Sequence, residues 1–280
     1  MVQENFYIQK LKIYSPFGWT SRLPLWSGWI FAEFQCSDQY LELGKMVGSM
    51  ETLETNGGRS YTNSNLVSTF YIDSDSALIE DFAYSAVSNV TDVTSQGIAL
   101  YYAVRDSIRY DPYNIDCTPV GFKASKCIEH KRGFCITKAA LLAACARVIK
   151  IPSRVGFGDV RNHLATPRLI ALMGTDEFVF HGFAELYLNG QWVKATPAFN
   201  LTLCERFGVL PLEFDGMTDS LFHPFDAAGQ RHMEYIRQRG SFDDVPFEDI
   251  MAAFKETYPV AFARGFKLPD ADFERDAGKI

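Results

Sequence analysis

No long basic run occurs in this chain, no apolar stretch approaches the roughly 18 residues that cross a bilayer, and no CxxC pair joins its six cysteines. The first absence argues against nucleic acid as a partner, and the second against a membrane-spanning segment. The third, together with the lack of any His/Cys/Asp/Glu set at metal-ligand spacing, argues against a zinc site. Asp73-Ser74-Asp75 is not followed by the loop of about 12 residues closed by Glu that calcium requires. Gly156 and Gly158 come after a helix rather than opening one, so no dinucleotide fingerprint is present. No cofactor or metal is expected. The opening Met1-Val2-Gln3-Glu4-Asn5 lacks a positive segment leading into an apolar block, and the cysteines read as free thiols. Both point to a cytoplasmic protein.

What is present suits a folded, moderately acidic protein. The 280 residues are 47% hydrophobic and 14% aromatic, with a net charge of −7, enough to fill a large core. Residues 1–68 read as an extension packing on the core, with a strand over Phe6–Tyr14 and an aromatic stretch over Trp19–Phe34 that either packs or lines a pocket. The polar Leu53–Asn65 stretch, with Asn-Gly-Gly at its centre, marks a boundary. A core over 69–200 follows, and 201–280 reads as a helix-and-loop extension completing the same domain. Helices are expected at Ala77–Val87 and Thr94–Ile108, strands at Ser153–Val160, Phe178–Leu188 and Gln191–Ala198, and further helices at Ala227–Arg239 and Phe247–Glu256. Cys117–Arg132 and Asn162–Gly174 read as irregular.

The chemistry centres on Gly133-Phe134-Cys135. Gly133 interrupts helix just before Thr137–Val148, a run mostly of Ala, Leu and Cys with apolar positions on every side, which Pro152 stops. Such a helix is buried. Cys135 at its N-terminus is either a small core residue or a nucleophile, and the partial positive charge there favours thiolate. Downstream, Asn189-Gly190 is a strong hairpin signal. It pairs Leu188 with Gln191 and Glu185 with Lys194 as a cross-strand ion pair, and sets His181 opposite Ala198 with Thr196 diagonal to it. A hairpin folded over the helix brings His181 to the entry of the Cys135 helix, where imidazole can take a thiol proton.

The order Gly133-x-Cys135-x-x-x-Ala139, then Ile151-Pro152-Ser153-Arg154-Val155, then His181-Gly182-x-Ala184-Glu185-Leu186-Tyr187-Leu188-x-Gly190-x-Trp192-Val193-x-Ala195-Thr196-Pro197 resembles the transglutaminase-like superfamily of papain-type cysteine enzymes. The resemblance runs from about Phe70 to about Asn200. It implies an α+β fold with the nucleophile helix packed on an antiparallel sheet, Cys135 as nucleophile and His181 as general base and acid. It implies a small-molecule or peptide-like acyl substrate, with hydrolysis or acyl transfer through a thioester. Where the family usually has Asp, before the Pro that closes the second hairpin strand, this chain has Thr196, a neutral acceptor. Asp159, Asn200 and Asp226 are the candidate substitutes. The oxyanion would be held by the Cys135 N–H and a further donor; Tyr110 and Tyr113 are candidates, or else packing residues. Two other readings stay open: a non-catalytic binding module on the same fold, and a lyase or amide-forming reaction on the same Cys–His pair.

Overall fold

The computed structural model describes residues 61–222, 232–268 and 271–277, all within one unit, Ser49–Ile280. The expected strand at Phe6–Tyr14, the aromatic stretch at Trp19–Phe34 and the candidate Asp226 lie outside the described residues.

The chain order is α1 (Ala77–Val87), α2 (Val93–Ser107), β1 (Arg109–Tyr110), α3 (Ala124–His130), β2 (Arg132–Gly133), α4 (Cys135–Val148), β3 (Ser153–Asn162), α5 (Pro167–Met173), β4 (Glu177–Leu188), β5 (Gln191–Ala195), α6 (Leu201–Phe207), β6 (Met233–Phe242), α7 (Phe247–Thr257), α8 (Pro259–Ala263) and α9 (Phe273–Ala277). The main sheet is antiparallel, in the order β5-β4-β3-β6. The fold is therefore α+β, with α4 laid against the sheet.

α4 is the centre of the core. Every residue from Ile136 to Val148 is buried, and the helix is covered by α1, α2, α3, β3 and β4. Its short Ala and Cys side chains allow that approach from all sides. Two of its residues are cations, and each is matched to carbonyls. Lys138 Nζ donates to Arg105 O at 2.9 Å and Ile108 O at 2.5 Å, holding the C-terminal end of α2, where a cation is favoured. Arg147 donates to Val67 O, Ser153 O and Asp243 O.

The hairpin has the expected register: Leu188 pairs with Gln191 and Glu185 with Lys194. It ends earlier than expected. The last pair is Ala184 with Ala195, so His181 has no partner at Ala198. Beyond that point the chain turns to Ser220, with Ser220 N donating to Lys194 O at 2.8 Å and Thr196 N to Ser220 O at 3.1 Å. Glu185 does not ion-pair with Lys194. It binds Arg154, directly across on β3, while Lys194 approaches Asp219 at 3.8 Å.

Three other expectations change. Within the expected helix Ala227–Arg239, the residues from Met233 onward form an edge strand, β6, which pairs antiparallel with β3; the long-range ladder overrides local propensity. Asn162–Gly174 contains α5, with Thr166 Oγ1 accepting from Leu169 N at 3.1 Å, Pro167 in the first turn and Gly174 at φ +78° closing it. Cys117–Arg132 contains α3.

Candidate active site

The sequence places Cys135 at the first position of α4, and three local features hold it there. Phe134 precedes the helix with its N–H bonded to Thr137 Oγ1 at 3.1 Å. Gly133 lies so close to the helix that a Cβ would meet Cys127 Sγ at 2.6 Å and Thr137 Oγ1 at 2.8 Å. The parallel pair β1–β2 sets Tyr110 beside Gly133, with Asp111 N donating to Gly133 O at 2.8 Å.

His181 and Gly182 come from the part of β4 that β5 leaves uncovered. The first turn of α4 fills that gap. A Cβ on Gly182 would stand 2.9 Å from Ile136 Cα and 3.2 Å from Cys135 O, so only glycine allows this contact. The N–H groups of Gly182, Ile136 and Cys135 itself and the Tyr110 hydroxyl lie near enough to the Cys135 sulfur to favour its thiolate form.

Cys135 and His181 line one apolar cavity of about 50 Å³, walled by Phe134, Phe178, Met173, Phe254, Tyr258 and Phe273 among others. Cys135 is half-buried, and the cavity is the space it faces. Burial pushes its thiol up to about 11, against the opposing pull of those four donors. His181 is 3% exposed, and burial holds its imidazole down to about 4. At neutral pH the pair is thus thiol and neutral imidazole. The helix N-terminus alone suggested a thiolate; desolvation outweighs it here.

The third-position candidates are placed as follows. Thr196 is 1% exposed; its carbonyl accepts from Tyr101, while its hydroxyl makes no hydrogen bond among the described residues. Asp159 is taken by other partners, receiving two bonds of 2.8 Å from Arg239 and one of 3.0 Å from Phe180 N. Asn200 receives Tyr110 N at 3.1 Å and donates to Glu274; it positions Tyr110, not His181. His181 Nε2 is buried and makes no hydrogen bond among the described residues. Of the two tyrosine candidates, Tyr110 reaches the sulfur, whereas Tyr113 bonds Thr166 Oγ1 at 2.7 Å and Asp276 at 3.3 Å.

A family model described as "Transglutaminase-like superfamily" matches residues 80–197, the stretch that carries both Cys135 and His181. This segment is similar to a transglutaminase-like core. Among solved structures, the chain is similar to "a Putative Cysteine Protease from Cytophaga hutchinsonii", at 19% identity and a TM-score of 0.38, over 64% of this chain and 53% of the other. The chain thus spans about half the length of that protein. No curated protein sequence matches. The superfamily core points to a cysteine-based enzyme. No described helix is long and apolar enough to cross a membrane.

Two further neighbours of Cys135, Tyr235 and Tyr258, carry no mark in the sequence; both lie close enough that an ionised Cys135 would raise their hydroxyls further. Tyr235 sits in the segment read as helix. Only the pairing of β6 with β3 turns it toward the site. Tyr258 follows α7, which was expected, but nothing local marks it as facing the cavity.

Proposed function

We propose that this protein is a cysteine-nucleophile hydrolase or acyltransferase working through a thioester on a small, largely apolar acyl substrate. The observation that carries the reading is Cys135 and His181 lining the same apolar cavity. Cys135 Sγ attacks the acyl carbon as its proton passes to the His181 imidazole, which is neutral and free to accept it. The tetrahedral oxyanion is held by the Cys135 N–H, with the Tyr110 hydroxyl as the neighbouring donor. The imidazolium returns its proton to the leaving group as the thioester forms. Water gives hydrolysis; an amine or alcohol gives transfer. A small apolar cavity of about 50 Å³ favours short acyl groups.

The test is steady-state turnover of a panel of esters, thioesters and amides of increasing acyl length, with Cys135→Ser and His181→Ala alongside. Turnover of short acyl donors, lost in both variants, supports the reading. Turnover that survives Cys135→Ser removes it. The high thiol pKa favours a second reading, a binding module that retains the fold without turnover. A panel giving no acylation with the wild type while an acyl compound still binds selects that one.

A further inference from the structure

Three buried polar atoms around the site make no hydrogen bond among the described residues: His181 Nε2, Thr196 Oγ1 and the Tyr235 hydroxyl. Leaving such a buried group unpaired is costly. They are not scattered. The Tyr235 ring stands edge-on to the imidazole, 6.4 Å between centroids, and the Phe222 ring packs on the same imidazole at 5.2 Å. The Tyr235 hydroxyl faces the Thr196 hydroxyl and the Phe222 N–H without closing a full hydrogen bond to either. The described carboxylate and carboxamide candidates are taken by other partners, Asp159 by Arg239 and Asn200 by Tyr110 and Glu274.

We propose that Tyr235 is a positioning residue for the Cys135–His181 pair, acting through Thr196 to fix the imidazole where an Asp would otherwise stand. The inference rests on the reading of that pair as the reacting groups. In this chain His181 Nε2–H donates to Thr196 Oγ1, and the Thr196 hydroxyl donates to the Tyr235 oxygen, which also receives the Phe222 N–H. Side-chain rotation closes these contacts. Nε2 then keeps its proton, and Nδ1 is the nitrogen left to accept the proton of the Cys135 thiol. The relay is uncharged, moves no proton along its length and orients only. It brings no negative charge to the imidazolium, in keeping with the low basicity of His181. The arrangement also gives β6 a role beyond closing the sheet: it carries the last member of the relay.

The test compares wild type, Tyr235→Phe, Thr196→Val and the double variant. It uses p-nitrophenyl acetate as acyl donor, with thermal unfolding and the ¹⁵N shifts of His181 measured alongside. The relay predicts that each single change slows acylation of Cys135 about tenfold, roughly one neutral hydrogen bond. The double variant should be no slower than the slower single, because the residues act as one unit. Tyr235→Phe should lower Tm by only about 2–4 °C, since in the relay it removes one neutral hydrogen bond. The ¹⁵N shifts should show one fixed tautomer, Nε2–H, in the wild type and a mixture in Tyr235→Phe. Wild-type acylation in Tyr235→Phe, or a loss that tracks falling Tm with an unchanged tautomer, overturns the proposal. The tautomer can also be read in Cys135→Ala, so the relay stands or falls separately from the acyl chemistry.

Discussion

Replacing Gly182 with Ala tests how the strand and the helix build the site. The added Cβ would lie 2.9 Å from Ile136 Cα, 3.2 Å from Cys135 O and 3.3 Å from Ile136 N. All three are backbone atoms of the first turn of α4, so no side chain can swing aside; β4 and the helix must part. Overpacking of this kind costs about 3 kcal/mol at the upper end of its range, or roughly 6–12 °C in Tm for a domain of this size. The separation also draws the Gly182 N–H off the sulfur. One hydrogen bond to a charged group is worth about 1.5–3 kcal/mol, or one to two pKa units. The thiol should therefore titrate still higher, and alkylation by iodoacetamide at pH 8–9 should slow about ten- to a hundredfold. Gly97→Ala is the control. Its Cβ would meet only the flexible tips of Leu188 and Leu186, at 3.3 Å or more, and helix propensity favours Ala there by about 1 kcal/mol. Its Tm should hold or rise, with labelling unchanged. If Gly182→Ala melts like the wild type, the helix–strand contact is wrong. If it melts lower but its Cys135 labels at the wild-type rate, the sulfur is not held by that N–H.

Other expectations follow from the same geometry. His181 is held down to about 4 from an ordinary 6.5. Its neutral form therefore favours the folded state above about pH 6.5, and that contribution is lost as pH falls toward 4. The loss is about 3 kcal/mol; urea titrations should show it in the wild type and a correspondingly smaller loss in His181→Gln. Asp159→Asn breaks a paired carboxylate held by Arg239 on both oxygens. It should lower Tm by several degrees while leaving the pH profile of Cys135 labelling unchanged, whereas a shifted profile would restore Asp159 as the partner of His181. Lys138→Met removes the donor to Arg105 O and Ile108 O. Leaving two buried carbonyls unpaired should cost about 2–6 kcal/mol in chemical denaturation; a neutral result would contradict the placement of that lysine.

The sequence was most informative where local signals and packing agree. Asn189-Gly190 set the hairpin register, because a two-residue loop leaves one pairing that keeps the apolar face inward. The Ala-rich run after Cys135 disclosed a helix buried on all sides, though not that Lys138 and Arg147 would be buried with it, since their carbonyl partners come from distant segments. Around α5 the signals were present in Thr166, Pro167 and Gly174 but sit in a stretch that looks irregular overall. β6 left no such trace: most of Met233–Phe242 is exposed or half-exposed, so it shows no apolar alternation, and its ladder to β3 alone makes it a strand. The third position was hidden for the same reason. Where Thr196 points depends on β5 leaving β4 at Ala195 to meet Ser220, a contact no local pattern encodes.

The most direct test of the account is to trap the acyl-enzyme. The wild type, Cys135→Ala and His181→Ala are each mixed with a short-chain acyl thioester, quenched in acid, and read by intact mass and peptide mapping. The account predicts a single acyl addition on Cys135 in the wild type, none in Cys135→Ala, and a strongly slowed one in His181→Ala. Acylation that appears on Cys117 instead, or proceeds equally well without His181, would contradict it.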